Sequence, residues 1–118
     1  QIQYPQGKLV RVVQGAVLDV AVDIRRSSPN FGQHFVMELS AENKKMLWIP
    51  EGFAHGFVVI SDTAEFLYKT TDYWYPEYER SIRWDDPVLG IDWQLTSPPV
   101  LSGKDEKATL FNEAEVFD

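Results

Sequence analysis

Three side chains in this sequence are of the types that move protons beside a carbonyl group: Lys8 in "QGKLVR", His55 in "PEGFAHGFVVIS" and Tyr68 in "FLYKTT". Each stands in a run that alternates apolar and polar residues, so each side chain faces one side of a β-strand. A lysine can stabilise a developing oxyanion, a tyrosine can return a proton, and an imidazole offers a polar contact. His55 is flanked by small residues and hemmed by Phe53 and Phe57. Taken singly, each has a plainer explanation. A lone histidine on an apolar strand is usually a hydrogen-bonded core residue, Tyr68 could be core with its hydroxyl at the rim, and Lys8 could snorkel from an edge. The joint presence of lysine, histidine and tyrosine on inward faces carries the chemical reading.

Strands must position these groups. Period-two alternation runs through most of the chain and helical periodicity is nearly absent before the last dozen residues. "GKLVRVV" and "AVLDVAVDI" flank Gln14-Gly15, and a tight hairpin there places Val12 opposite Val17 and Val10 opposite Asp19. Lys8 and Asp19 then share one face on diagonal positions, giving a buried lysine its partner. Both faces of that hairpin are largely apolar, which predicts cover on both sides, by a second sheet or by a subunit interface. Further strands are expected at "FGQHFVMEL", "KMLWI", "AHGFVVI" and "AEFLYKTTDYW", separated by turn-rich "SSPN", "SAEN", "PEG" and "SDT". A turn at Ser61-Asp62 with an even loop pairs His55 with Tyr68 and Phe57 with Phe66; an odd loop pairs His55 with Lys69. Short strands at this spacing predict an all-β jelly roll or β-sandwich. "TSPPVLSGKDEK" reads as an extended connection, and "FNEAEVF" as a short terminal helical segment.

The 118 residues are 44% hydrophobic and 14% aromatic, enough for one domain over residues 1–118 with a C-terminal tail from about residue 96. A net charge of −7 argues against nucleic acid or an anionic membrane surface as partner. There is no cysteine, hence no disulfide and no thiolate metal site. No apolar stretch has the length of a membrane span, and a cytoplasmic protein fits best. His34 and Glu38 at even spacing superficially suggest a metal-binding jelly roll, but with His55 they do not make a closed ligand set. "RRSSPN" reads as a solvated basic turn.

Four long segments, "QGKLVRVVQGAVLDVAVDIRRSSPNFGQ", "LSAENKKMLWIPEGFAHGFVVIS", "AEFLYKTTDYWYPEYERSIRWDDPVLGIDW" and "LSGKDEKA", closely resemble the dTDP-4-dehydrorhamnose 3,5-epimerase family, in its order and across essentially the whole chain. The resemblance implies a cupin-like jelly roll, a homodimer and no metal or other cofactor. It implies as substrate dTDP-4-keto-6-deoxyglucose, epimerised at C3 and C5 next to the C4 ketone on the route to dTDP-L-rhamnose. By the same resemblance Lys8 stabilises the enolate, Tyr68 is the acid, and Asp105 of "LSGKD" orients the basic histidine. "PEGFAHGF" lines the sugar pocket, its glycines letting the backbone approach the ligand and His55 contacting the substrate. Asp19 is placed with the substrate-binding group, and Tyr73, Glu79 and Trp84 fall in segments near the nucleotide.

The family's general base is a histidine in a Gly-Leu-His motif just before a glutamine, and the chain begins at that glutamine, Gln1. An N-terminal portion is therefore expected to lie outside these 118 residues, with the base, an arginine for the diphosphate and further strands; the chain alone should be a poor epimerase. A single-carbon epimerase, a ketoisomerase acting on a dTDP-4-keto sugar, and a non-catalytic nucleotide-sugar-binding or dimerisation module are the alternatives.

Overall fold

The computed structural model describes residues 1–118. Six strands form two antiparallel three-stranded sheets: β1 (Lys8–Gln14), β2 (Ala16–Asp23), β3 (His34–Ser40), β4 (Met46–Ile49), β5 (Phe53–Val59) and β6 (Glu65–Thr70). The first sheet has the order β4-β1-β6 and the second β3-β2-β5. The all-β sandwich expected from the alternation is what forms, and each expected strand is present. The last ends at Thr70 rather than running on to Trp74.

The pairing of strands differs from the sequence reading. β1 and β2 are not a hairpin: β1 pairs with β4 and β6, while β2 pairs with β3 and β5. Val10 therefore opposes Leu47 and Tyr68, not Asp19, and Val12 opposes Phe66, not Val17. Gly15, at φ 77°, takes the chain from one sheet to the other. A Cβ there would lie 2.1 Å from the Thr63 carbonyl oxygen, so only glycine fits the crossing. The physical reason lies in the two apolar faces. A bent connection lets the inward residues of β1 and β2 bury one another across the interior, where Val10, Val12, Val17, Ala21, Leu39 and Ile49 form one core.

The second cluster lies on the outer face of the β2 sheet. Val20, Val22 and Ile24 are covered by Leu89 and Phe111 from the C-terminal third, with Ile82, Ile91, Trp93 and Phe117 packed alongside. Asp86 fastens this cover: its buried carboxylate accepts backbone N–H groups of Val88, Leu89 and Phe111. Burial alone would raise its pKa, but those three hydrogen bonds hold it below the ordinary value. "TSPPVLSGKDEK" is not extended throughout. A helical turn, α1 (Gly103–Glu106), follows Ser102, whose hydroxyl accepts from the Asp105 N–H. The terminal segment forms a 3-10 turn at Phe111–Glu113.

The outer face of the β1 sheet has no such cover. Met46, Trp48 and Leu67 project from it and are half-exposed, with Trp48 at 53%. No helix of the chain is long and apolar enough to cross a membrane.

Candidate functional site

Two sheets contribute one pair of polar groups each to the same interior. In the first, Tyr68 faces Val10, and Lys8 lies two residues along β1 on the same face, a diagonal neighbour. In the second, Asp19 faces Phe57 and Ala21 faces His55, so Asp19 and His55 are diagonal neighbours. His55 Nε2 lies 2.8 Å from Asp19 Oδ2. The imidazole is 9% exposed and the carboxylate 0%. Asp19 Oδ1 has no hydrogen-bond partner.

The partner of Asp19 is thus His55, and Lys8 makes no ion pair with it. Lys8 still feels its charge: burial, then Lys104, push the ammonium below its ordinary value, while Glu79 and Asp19 oppose them. A lysine so placed is a point charge aimed into the interior without a salt-bridge partner.

Aromatic rings frame these groups. The expected His55–Tyr68 and Phe57–Phe66 strand pairs do not exist, because β5 and β6 belong to different sheets. The segment after Val59 crosses between sheets, with Ile60 N–H donating to the Ala16 carbonyl and the Ser61 hydroxyl accepting from Ala16 N–H. The two phenyl rings nevertheless stack across the interior, and His55 lies over Phe66 with ring centroids 6.0 Å apart. Tyr68, 57% exposed, sits at the open rim of this wall. Gly56 does not open the backbone toward the interior: it lies on the outer face, where its Cβ would meet the Trp93 ring at 3.3 Å.

The remaining expected residues lie around this rim or away from it. Glu79 accepts a 2.7 Å hydrogen bond from Lys104 Nζ, which draws α1 against the 3-10 turn Pro76–Tyr78 and holds the Glu79 carboxyl below its ordinary pKa. Asp105 is exposed on α1 and its carboxylate contacts neither histidine. Tyr73 is 82% exposed. The Trp84 carbonyl accepts from Trp93 Nε1 on the covered outer face of the β2 sheet. His34 and Glu38 are exposed on β3, and no group of three or more potential ligands is assembled for a metal.

Sequence reasoning missed Gln1. Its Nε2 donates to the Tyr4 and Tyr73 carbonyls, and its Oε1 accepts from Tyr75 N–H. The Tyr4 ring stacks on Tyr75 at 4.5 Å. These contacts bring the first residues near Lys8, Glu79, Arg80 and Lys104, whose charges reach Gln1.

The family model described as dTDP-4-dehydrorhamnose 3,5-epimerase matches residues 1–113. An enzyme of that name from Pseudomonas aeruginosa is 61% identical over 117 residues, which are 99% of this chain and 65% of the relative. One from Methanothermobacter thermautotrophicus is 44% identical over 119 residues, covering 99% of this chain and 64% of the relative. Among solved structures, a dTDP-6-deoxy-D-glucose-3,5-epimerase from Legionella pneumophila in complex with dTDP-4-keto-L-rhamnose superposes with TM-score 0.95 at 56% identity, over 98% of this chain and 61% of that one. A 3'-monoepimerase from Streptomyces bikiniensis in complex with dTDP-quinovose gives TM-score 0.85 at 35% identity, over 90% and 54%. The chain spans less than two thirds of the length of each of these relatives.

Proposed function

The chain belongs to the dTDP-4-dehydrorhamnose 3,5-epimerase family, and we propose that it supplies most of the active site of an enzyme that epimerises dTDP-4-keto-6-deoxyglucose at C3 and C5. The observation that carries this reading is the convergence of Lys8, Tyr68 and the Asp19–His55 pair, from two different sheets, on one aromatic-walled interior. A proton next to a ketone becomes removable when the enolate oxygen is stabilised as it forms. Lys8 is the group for that oxygen, because its charge is partly desolvated and no carboxylate is bonded to it. Tyr68, on the adjacent strand, is placed to return a proton from its own side. The base is the family's histidine, which precedes the glutamine matching Gln1; the anchoring of Gln1 would deliver that residue to the Lys8 side of the rim. Asp105 is assigned to orient the base, and Tyr73 and Glu79 to the nucleotide side.

The enzyme would be a cytoplasmic homodimer, with the uncovered outer face of the β1 sheet as the subunit contact. No residue role here calls on a metal or cofactor. The test is turnover of dTDP-4-keto-6-deoxyglucose in deuterated water, using a chain that carries the family's N-terminal strands and Gly-Leu-His segment ahead of Gln1. Deuterium at both C3 and C5 is expected. Label at one carbon would indicate a single-carbon epimerase, a moved carbonyl a ketoisomerase, and binding without label a non-catalytic module.

A further inference from the structure

Lys8 is the first residue of β1 and Thr70 the last of β6, so the charge assigned to the enolate stands on the terminal rung of its ladder. Strand ends open at little cost in free energy, and a side chain carried on the last rung swings with the opening. Here the rung does not end freely. Thr71 N–H donates to the Gly7 carbonyl at 3.0 Å, and Gly7 N–H donates to the Thr71 hydroxyl oxygen at 2.9 Å. One step further out, Gln6 Nε2 and the Thr70 hydroxyl both donate to the Asp72 carbonyl, at 2.7 and 2.9 Å. Gly7 is buried between the Trp48 ring and the Thr71 methyl group: a Cβ on it would lie 2.8 Å from the one and 3.3 Å from the other.

We propose that Thr71 is a positioning residue for Lys8, its hydroxyl closing a clasp between Gln6 and Gly7 on one side and Thr71 and Asp72 on the other that keeps the lysine aimed into the interior. This deepens, and rests on, the reading of Lys8 as the group for the enolate oxygen. The hydroxyl oxygen is the acceptor for a buried backbone donor, and removing it leaves that N–H unpaired beneath the indole. The strain is relieved by movement of the segment away from Trp48, and Lys8 moves with Gly7. Because the same strand pair sets Tyr68 opposite Val10, the clasp also fixes the spacing of the cation from the acid. A charge serves a developing oxyanion only when it is held in place before the oxyanion forms. Burial does most to lower the Lys8 ammonium pKa, with Lys104 adding to it and Glu79 and Asp19 opposing, so a lysine released to water returns toward its ordinary value.

The test compares Thr71→Val, which keeps the shape and removes the hydroxyl, with Thr71→Ser, which keeps the hydroxyl, in the N-terminally extended chain. NMR titration of the Lys8 ammonium, its signal assigned with Lys8→Arg, reads the clasp without turnover. Thr71→Val is expected to raise that pKa and Thr71→Ser to leave it as in the wild type. In deuterated water Thr71→Val should take label into the dTDP-4-keto sugar up to about 10²-fold more slowly, the cost of a group misplaced by about 1 Å, with dTDP affinity unchanged. Thr71→Ser should restore the exchange. Gln6→Met, which removes only the outer hydrogen bond, should shift both readouts in the same direction and by less. An unshifted Lys8 pKa in Thr71→Val overturns the proposal, as does an equal loss of exchange in Thr71→Val and Thr71→Ser. A wild type that binds the dTDP-sugar without taking up label sinks the epimerase reading instead, and the Lys8 titration still decides the clasp.

Discussion

Phe57 of β5 and Phe66 of β6 lie in opposite sheets, with ring centroids 4.3 Å apart and planes inclined by 9°. This stack joins the two edge strands on one side of the sandwich and floors the interior under His55. Each ring is only partly buried, so truncation should cost less than the ~3–5 kcal/mol of a fully buried phenylalanine, about 2 kcal/mol for Phe66→Ala. A double-mutant cycle with Phe57→Ala should return a coupling of ~0.5–1.5 kcal/mol. Strictly additive losses in urea unfolding would mean that the stack adds nothing beyond buried area.

Asp23 ends β2 with its carboxylate on Arg25 Nε and Nη2, at 3.0 and 2.9 Å. The Arg25 hydrogen bonds outweigh the opposing effect of burial and, with Ser28, lower its pKa from 3.8 to about 2. Since the folded value lies below the unfolded one, the stabilisation is fully present above about pH 4 and is lost as pH falls through about 2. Arg25 is itself half-exposed, so solvent screens the pair and the contribution to stability is small. Urea midpoints at pH 7, 3.5 and 2 should fall less steeply in Asp23→Asn than in the wild type. Parallel curves would remove Asp23 from the acid response.

Trp48 stands over Gly7 on the outer face of the β1 sheet, 2.8 Å from where a Cβ of that glycine would be. Its neighbours Met46 and Leu67 leave an apolar strip with Arg11 and Lys69 on the same face. A strip of this kind is covered in a stable assembly. Sedimentation at micromolar concentration should give a dimer, and Trp48→Lys should shift it to monomer with the strand content of the circular dichroism spectrum intact. A monomeric wild type would refute the assignment of this face.

The strands were legible because short apolar, β-branched runs between turn residues are a local property, and Leu9 to Val13 or Phe57 to Val59 carries it unaided. Strand partnership was not. A turn at Gly15 serves a hairpin and a crossing between sheets equally well in sequence, and the choice is made by burial of Val10 and Val12 against Val17 and Ala21. The same ambiguity hid the site's central contact. Asp19 and His55 are separated by 36 positions and meet only because β5 returns to pair with β2. Residues assigned from long motifs, Lys8 and Tyr68, needed no such geometry to be singled out, yet their placement on adjacent strands came only from the fold. Gln1 was passed over because an amide that bonds backbone leaves no pattern in the side chains around it.

Tyr68 and Lys8 make the sharpest test, because the proposed chemistry gives them different failures although they are diagonal neighbours in one sheet. If a base removes the proton next to the ketone from one face and Tyr68 returns one to the other, Tyr68→Phe leaves the enolate formed but unprotonated on the inverting side. Loss of a general acid costs ~10² to 10⁴ in rate, while the hydroxyl adds little to the area that would be buried with a nucleotide. In deuterated water, the N-terminally extended variant should therefore exchange substrate protons faster than it yields inverted product, with dTDP affinity kept. Lys8→Ala should suppress exchange and inversion together, since without the charge the enolate never accumulates. Lys8→Arg restores charge but not the compact ammonium, so partial recovery of exchange is expected there. Wild-type inversion in Tyr68→Phe, or loss of nucleotide-sugar binding outright, would make Tyr68 a wall of the pocket; exchange surviving in Lys8→Ala would move the oxyanion to another group.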